Sequence, residues 1–418
     1  MLRQILSLLR WKYWLASWQQ VDWLLLIAVV GLTVFGGVMI RSAELNQGLT
    51  DWWQHWLVGG IGLVLALFIA RCRYENLIQW HWLIYTLTNI SLLVVIFIGT
   101  TAKGAQRWIS IGGFNVQPSE FAKIGVIITL AALLHARTAA TIPDVLRTLA
   151  VTAIPWLLVF IQPDLGTSLV FGAITLGMLY WGNANPGWLI LLVSPIVAVI
   201  LFNVYLPAWG VWATTMSLIA WRTLPWRWWG MLGAIAVNFA AGQLGHILWG
   251  LLQDYQKNRL ILFLNPEKDP LGGGYHLIQS RIAIGAGELW GQGLYQGTQT
   301  QLNFVPEQHT DFIFSAIGEE LGFVGGLAML FVFWLICLRL VMIAQTAKDN
   351  FGSLLAIGVL SMIVFQAIVN IAMTVGLAPV TGIPLPWVSY GRSALLTNFI
   401  AIGIVESVAN YRQKRIKF

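Results

Sequence analysis

Residues 22–41, DWLLLIAVVGLTVFGGVMIR, decide the fold class of this chain. No charged side chain stands between Asp22 and Arg41. An apolar run of about 20 residues is long enough to cross the hydrocarbon core of a bilayer as an α-helix. Comparable runs recur roughly at residues 56–70, 80–99, 121–136, 148–162, 167–181, 187–205, 209–221, 228–251, 312–341, 353–375 and 392–410. The sequence therefore predicts an all-α polytopic membrane protein with about twelve transmembrane helices.

The composition excludes most other classes of protein. Hydrophobic residues make up 58% of the chain and charged residues 10%, whereas a soluble domain carries about 25% charged residues. A transmembrane β-barrel would show alternating segments of about ten residues, which this sequence lacks. The net charge is +7, but the basic residues stand at the ends of apolar runs, which favours anchoring at the membrane edge over nucleic-acid binding. Cys72 and Cys337 lie far apart and predict neither a disulfide framework nor a metal site.

The basic residues also predict the orientation of the chain, because Lys and Arg are enriched in the cytoplasmic loops of membrane proteins. With the N-terminus in the cytoplasm, the basic residues of the short loops fall on that side; they are Arg71, Arg73, Arg137, Arg147, Arg222, Arg227, Arg339 and Lys348. This alternation requires residues 209–221 to be a true span. The long segment 252–311 then lies on the extracytoplasmic side, just before the tenth span.

The segment 252–311 is long, polar and rich in charged residues. A connection longer than about 12–15 residues is usually functional or disordered. Asp269 stands out within it, because it lies between Lys268 and Pro270 in a Pro- and Gly-rich stretch with no helix for it to cap. A carboxylate in such a place suits a general base. Apolar residues at near-helical spacing over 275–290 predict an amphipathic helix lying on the membrane.

Two further clusters of polar residues lie close to predicted spans. The stretch GAQRWISIGGFNVQPSEFAKIG contains Arg107 and places Lys123 about one turn into an apolar helix. A charge at that depth normally faces a cavity or a partner, although Glu120 at i,i+3 is also available for simple pairing. In QPDLGTS, Asp164 is either an N-cap of the next helix or a carboxylate beside a membrane-facing site.

The remaining candidates lie around the tenth span and before the last one. His309 leads into the tenth span, and Glu319 and Glu320 lie two or more turns inside it, where a carboxylate is costly unless it is paired or hydrated. Prolines in the stretch 375–398 predict a broken or re-entrant element, which is tolerated at membrane depth where it lines a cavity or is buried in protein. The chain shows no Walker loop, zinc-ligand spacing or dinucleotide fingerprint.

Five segments together resemble the SEDS family (shape, elongation, division and sporulation), and the resemblance covers nearly the whole chain. They are QPSEFAK at 117–123, QPDLGTS at 162–168, NPEKDPLGGGYHLIQS at 265–280, LNFVPEQHTDFIFSAIGEELG at 302–322 and GIPLPWVSYG at 382–391. Matches of this length in the right order are far more specific than one short motif. The segment GTQTQLNFVPEQHTDF is more similar to the RodA branch, which serves cell elongation, than to the FtsW branch, which serves division.

The resemblance implies a peptidoglycan glycosyltransferase that acts on lipid II, the undecaprenyl-pyrophosphate disaccharide-pentapeptide, at the outer face of the bacterial cytoplasmic membrane. An acceptor sugar hydroxyl would attack the anomeric carbon of the donor with inversion, and the lipid pyrophosphate would leave. Asp269 matches the family's essential loop aspartate, which implies a general base. The other matched residues imply substrate binding; they are Arg107, Glu120, Lys123, Asp164, Lys268, His309, Glu319 and Glu320. Among these, Arg107 and Lys123 suit a departing pyrophosphate.

The resemblance also implies partners and exposes two departures from the family pattern. Family members work with a class B penicillin-binding protein that cross-links the peptides. A divalent cation at the pyrophosphate is compatible with the chemistry, although no ligand spacing demands one. Because the family usually has ten spans, residues 206–250 are interpreted as an inserted two-helix hairpin within one membrane domain over 1–418, and this even insertion keeps the 252–311 loop outside. Arg392 stands where the family commonly has a small residue.

Two functions of other classes remain open from the residues. A transporter that flips the lipid-linked precursor would also use broken helices and a charged cavity. It would need a polar route through both leaflets, whereas the charged residues of this chain cluster toward the outer face. A scaffold that recruits wall-synthesis enzymes would tolerate Asp269→Asn. The polymerase is the hypothesis that the matched segments favour.

Overall fold

A computed structural model describes residues 21–46, 51–102, 105–111, 114–251, 263, 266–270 and 274–412. Its helices are α1 (Trp23–Glu44), α2 (Asp51–Ile69), α3 (Leu77–Ile98), α4 (Pro118–Ala136), α5 (Ile142–Ile161), α6 (Leu165–Trp181), α7 (Pro186–Val204), α8 (Leu206–Thr223), α9 (Arg227–Leu251), α10 (Tyr275–Ala286), α11 (Thr298–Gln301), α12 (Ile313–Thr346), α13 (Asn350–Val375) and α14 (Arg392–Asn410). Short 3₁₀ turns cover Tyr74–Asn76 and Pro266–Lys268. The predicted helical membrane fold is confirmed.

Nine of the described helices are long and apolar enough to cross a membrane. They are α1, α2, α3 with its preceding 3₁₀ turn, α4, α5, α7, α12, α13 and α14. Helix α6 is apolar but has 17 residues, and α8 and α9 fall outside this group. The chain is therefore an integral membrane protein, while the total of about twelve spans stays a prediction.

The stretch between α3 and α4 forms a small antiparallel sheet. Strands β1 (Thr100–Ala102), β2 (Ala105–Ile111) and β3 (Phe114–Val116) pair in that order. Ile109 lies opposite Val116 in the register of β2 and β3. Aromatic and β-branched residues favour strands, and they supply much of β2. This small sheet lies directly before α4 and leaves the chain predominantly helical, as predicted.

Helix α4, which carries Glu120 and Lys123, is the most buried of the nine membrane-length helices. Of the membrane-length window of α4, 83% is buried, compared with 17% for α7. Helix α14 packs along α2, and α13 packs against α12, α6 and α4. Helices α8 and α9 pack against each other and against α7 at the periphery. The region predicted as a hairpin is thus two helices, Leu206–Thr223 and Arg227–Leu251, away from the buried centre.

Helix α12 is interrupted near its start, where a loop inserts into its backbone. Gly322 has φ 65° and ψ −164°, a left-handed conformation that glycine adopts at low cost. The amides of Gln292 and Gly293 donate to the carbonyls of Glu319 and Glu320 at 2.9 and 3.0 Å. A Cβ on Gly291 would lie 2.2 Å from the Glu320 carbonyl oxygen. The glycines of GELWGQG, residues 287–293, therefore permit close approach of the loop backbone to α12.

The segment between α13 and α14 is non-helical, as the prolines predict. Helix α13 ends at Val375, and its C-cap Gly376 takes a left-handed conformation with φ 84°. The buried amide of Asn370 donates to the carbonyls of Asp311 and Ile383 at 2.9 and 2.8 Å. These bonds fix the broken segment against the loop that precedes α12, so backbone groups lost from helix are satisfied within the protein.

Candidate functional site

Arg107 extends from β2 to the turn that precedes α6. Its Nε donates to the carbonyl of Gln162 at 3.3 Å, and its Nη2 donates to the carbonyl of Pro163. Its Nη1 lies 3.7 Å from Oδ1 of Asp164. The small sheet therefore brings a cation to a turn that contains no Lys or Arg of its own. The structure thus brings the predicted site residues Arg107 and Asp164 together.

Asp164 caps α6 and links this helix to α4. Its Oδ1 accepts from the Thr167 amide at 3.2 Å, and its Oδ2 accepts from the Thr167 hydroxyl at 3.0 Å. The Gln117 amide, at the N-cap of α4, also donates to Oδ2 at 3.2 Å. The N-cap prediction is confirmed. Because the same carboxylate contacts Arg107, capping and a charged site coexist at this position.

Glu120 and Lys123 form an ion pair inside the first turns of α4. Lys123 Nζ lies 2.8 Å from Glu120 Oε2, and the two residues are 1% and 3% exposed. The predicted i,i+3 pairing is confirmed. Burial of both charges costs free energy even when they are paired, a cost that an ion pair on the surface of a helix does not carry. We refer to Arg107, Glu120, Lys123 and Asp164 as the α4–α6 cluster.

Asp269 lies on a separate segment, directly after the 3₁₀ turn Pro266–Lys268. Its side chain is exposed. Its backbone amide donates to the Pro266 carbonyl at 3.3 Å, and its carbonyl accepts from the Gly274 amide at 3.0 Å. The turn packs against α10, the helix predicted over 275–290. The side chain of Lys268 lies outside the described residues, so its substrate-binding role stays a prediction.

Glu319 and Glu320 are engaged in contacts that hold the outer loop to the bundle. Glu319 accepts from the amides of Gln299 and Thr300 at 2.7 and 2.9 Å, which caps the start of α11. Glu320 accepts from the Ser42 hydroxyl at 2.5 Å. Both carboxylates are fully buried; these bonds provide partners at that depth, while Oε2 of Glu320 has no hydrogen-bond partner among the described residues. The structure does not place them in the α4–α6 cluster, and their substrate-binding role stays a prediction.

His309 lies in a different group, together with two acidic residues that the sequence analysis missed. One ligand atom from each of Glu44, Asp51 and His309 lies within 4.8 Å of the others. Glu44 ends α1 and Asp51 begins α2, so the two carboxylates stand at the ends of consecutive spans that are close in the sequence. That position, at adjoining helix ends, is the sequence feature that could have identified them. His309 lies 265 positions after Glu44, so no local spacing indicates the third member.

Tyr390 borders the group of Glu44, Asp51 and His309. Its ring centroid is 6.1 Å from that of His309, and its amide donates to the His309 carbonyl at 2.9 Å. Burial, followed by the negative charge of Asp51, raises the pKa of Tyr390 to about 12. The hydroxyl is therefore a donor at neutral pH, and it donates to Gln54 Oε1 at 3.2 Å.

The α4–α6 cluster combines the carboxylates of Glu120 and Asp164, at the starts of α4 and α6, with the cations of Lys123 on α4 and Arg107 on β2. Helix N-termini and fixed Arg or Lys side chains both favour anionic groups. A low-dielectric setting strengthens such interactions relative to water. The arrangement suits the headgroup of a phosphorylated amphiphile that approaches from the membrane.

Comparisons with known proteins cover nearly the whole chain. A family profile described as cell cycle protein, FtsW/RodA/SpoVE, matches residues 22–217 and 188–414. The peptidoglycan glycosyltransferase RodA of Treponema pallidum is 34% identical over 94% of this chain and 98% of its own. The peptidoglycan glycosyltransferase MrdB of Escherichia coli K12 is 35% identical over 95% and 96% of the two chains. A probable peptidoglycan glycosyltransferase FtsW of Trichlorobacter lovleyi is 34% identical over 97% and 96%.

One chain of a solved structure is also similar to this protein over the whole length of that chain. It is a chain of a peptidoglycan synthase complex in which polymerization and crosslinking are coordinated, and it is 28% identical to this chain. The comparison covers 95% of this chain and 100% of the other, with a TM-score of 0.70.

Proposed function

Because this chain belongs to the FtsW, RodA and SpoVE family of cell cycle proteins, we propose that it is a peptidoglycan glycosyltransferase that joins lipid II disaccharide units into glycan strands. The observation that carries the proposal is the α4–α6 cluster, in which Lys123 pairs with Glu120 and Arg107 pairs with Asp164 at the starts of α4 and α6. A protein without an anionic lipid substrate has no evident need for this set, because paired charges at such depth do not by themselves add stability.

The reaction needs a base, an anion site and a route for the acceptor. Asp269 is the base, since its exposed carboxylate can take the proton from the acceptor hydroxyl. The acceptor oxygen, as it loses its proton, attacks the anomeric carbon of the donor from the face opposite the pyrophosphate. The new C–O bond therefore forms as the sugar–phosphate bond breaks, with inversion. Lys123 and Arg107 stabilise the negative charge that gathers on the departing pyrophosphate.

We assign the chain to cell elongation and shape maintenance within this family. The support is the segment 297–312, which is similar to the RodA branch. Identities of 34% to RodA of Treponema pallidum and 34% to FtsW of Trichlorobacter lovleyi do not separate the two branches. The proposed partner is a class B penicillin-binding protein, by analogy with the synthase complex in which polymerization and crosslinking are coordinated.

The proposed location is the bacterial cytoplasmic membrane, with the active site on the extracytoplasmic face. Support comes from the Lys and Arg residues of the short loops, which this orientation places on the cytoplasmic side. Within this single domain, residues 206–250 are proposed to be an insertion. The family profile matches the chain in two pieces that overlap over residues 188–217, next to that hairpin, and the two helices lie at the periphery.

The experiment that tests the function is polymerisation of labelled lipid II by the purified full chain, with and without a class B penicillin-binding protein. We expect glycan strands from the wild type and none from Asp269→Asn. Glu267→Gln is the matched control, because Glu267 is exposed in the same turn, and it should retain activity. Equal product from Asp269→Asn would remove Asp269 from the mechanism. If the wild type with its partner makes no product but flips labelled lipid II in vesicles, the polymerase hypothesis is refuted and the transporter hypothesis takes its place.

A further inference from the structure

We propose that Glu44, Asp51 and His309 bind one divalent transition-metal cation. Each residue offers a ligand atom, and these atoms all lie within 4.8 Å of one another. Carboxylate oxygens and imidazole nitrogens are ordinary protein ligands for such ions. The site is separate from the α4–α6 cluster and from Asp269, and it joins segments far apart in the sequence. We refer to these three residues as the Glu44 site.

The buried carboxylate of Glu44 points to a ligand independently of this clustering. Glu44 is 1% exposed. Its Oε2 accepts from the amides of Asp51 and Trp52 at 3.0 and 3.2 Å, which caps the start of α2. Among the described residues, its Oε1 is buried and has no hydrogen-bond partner. A buried carboxylate oxygen without a donor is costly, and a cation next to it removes that cost.

The ligands of the Glu44 site are held in place by contacts around them. The Gln308 amide donates to the Ala43 carbonyl at 2.7 Å, which fixes the residue before His309 to the end of α1. The His309 carbonyl accepts from the Tyr390 amide at 2.9 Å. Neighbours that orient ligands in this way accompany most protein metal sites. The imidazole and both carboxylates are therefore presented by backbone that is itself anchored.

The ligand types select the class of ion. Magnesium and calcium prefer all-oxygen sites, whereas an imidazole together with carboxylates suits Mn²⁺ or Zn²⁺. The two carboxylates balance the two positive charges of the ion. The bound cation would connect the end of α1 and the start of α2 to the segment before α12 and, through Tyr390, to the broken segment before α14. It would thereby position the outer loop that contains Asp269.

The first test measures Mn²⁺ binding by the full chain in detergent after removal of metals with EDTA. The readout is loss of the electron paramagnetic resonance signal of free Mn²⁺, which does not depend on lipid II or on catalysis. We expect about one bound ion per chain in the wild type. Asp51→Asn and His309→Gln should each weaken binding at least tenfold, a loss expected when one of three protein ligands is removed. Glu75→Gln, which removes a carboxylate elsewhere in the chain, should bind as the wild type does.

A second variant keeps the inference testable if one substitution prevents folding. His309→Cys replaces the imidazole by a softer thiolate, so it should lose Mn²⁺ and gain Cd²⁺ relative to the wild type. Thermal unfolding of each variant with and without ion supplies the folding check, because an ion that binds only the folded state raises its melting temperature. Absence of wild-type Mn²⁺ and Zn²⁺ binding at millimolar concentration would refute the site. Binding that is unchanged in both Asp51→Asn and His309→Cys would refute it equally.

Discussion

Replacement of one member of the Glu120–Lys123 pair separates structural pairing from a role in catalysis. Lys123→Met removes the ammonium while keeping the volume of the side chain, and it leaves the Glu120 carboxylate 3% exposed without its partner at 2.8 Å. The double variant Glu120→Leu with Lys123→Met removes both charges. The two variants therefore differ in stability for a physical reason that does not depend on the reaction.

The expected stability changes follow from the burial of the pair. Breaking a buried ion pair by removing one partner typically destabilises a protein by about 3–5 kcal/mol, whereas replacing both members by apolar residues is often neutral. We therefore expect Lys123→Met to lose about 3–5 kcal/mol of unfolding free energy and the double variant to recover most of it. Glycan synthesis should be lost in both variants, since neither retains the cation proposed to stabilise the departing pyrophosphate.

The assay pairs unfolding of the purified protein by SDS with polymerisation of labelled lipid II at a temperature where both variants are folded. Lys348→Met is the control, because Lys348 is a partly exposed cation that pairs with Glu75 at 3.3 Å, away from the α4–α6 cluster. It should change stability by less than about 1 kcal/mol. Polymerase activity that returns with stability in the double variant would refute a catalytic role for this pair.

Two further predictions test the backbone and the domain organisation. Gly322→Ala should destabilise the protein by about 1–3 kcal/mol. The residue has φ 65°, and its Cβ would lie 2.4 Å from the Gly291 amide nitrogen. The control is Gly31→Ala, whose Cβ meets nothing within 4 Å; thermal unfolding should show it to be neutral or stabilising. Deletion of residues 206–250 should leave polymerase activity comparable to that of the wild type, because α9 brings the chain back beside the end of α7, with Gly242 against Phe202. Loss of activity by a folded deletion variant would contradict the peripheral role.

The sequence predicted the helices well because the bilayer leaves few alternatives. A spanning segment has to satisfy its backbone groups internally, so the apolar run 22–41 becomes α1 with only small changes at its ends. The prolines between α13 and α14 and the i,i+3 spacing of Glu120 and Lys123 are local features, and both predictions were confirmed. Local sequence rules are therefore sufficient wherever the partner lies within one or two turns.

Contacts between distant segments could not be predicted in the same way. The bond from Glu319 to the start of α11 depends on how the loop inserts at Gly322, which helical periodicity does not reveal. The small sheet at β1–β3 was missed because its strands are short and lie between spans. The Glu44 site requires α1, α2 and the segment before α12 to meet, and no spacing within one segment contains that information.

Exposure divides the predicted acidic residues by what each can do. Glu120, Asp164, Glu319 and Glu320 are all at most 5% exposed, and each accepts hydrogen bonds or pairs with a cation, which fixes its orientation. A general base has to reach the hydroxyl of an incoming acceptor and change its charge during each turnover. A buried carboxylate that is held by several partners cannot move to meet an incoming hydroxyl. The exposed Asp269, held by backbone bonds to Pro266 and Gly274, meets the requirement for the base that we propose, whereas the fixed orientation of the buried acids fits a positioning role.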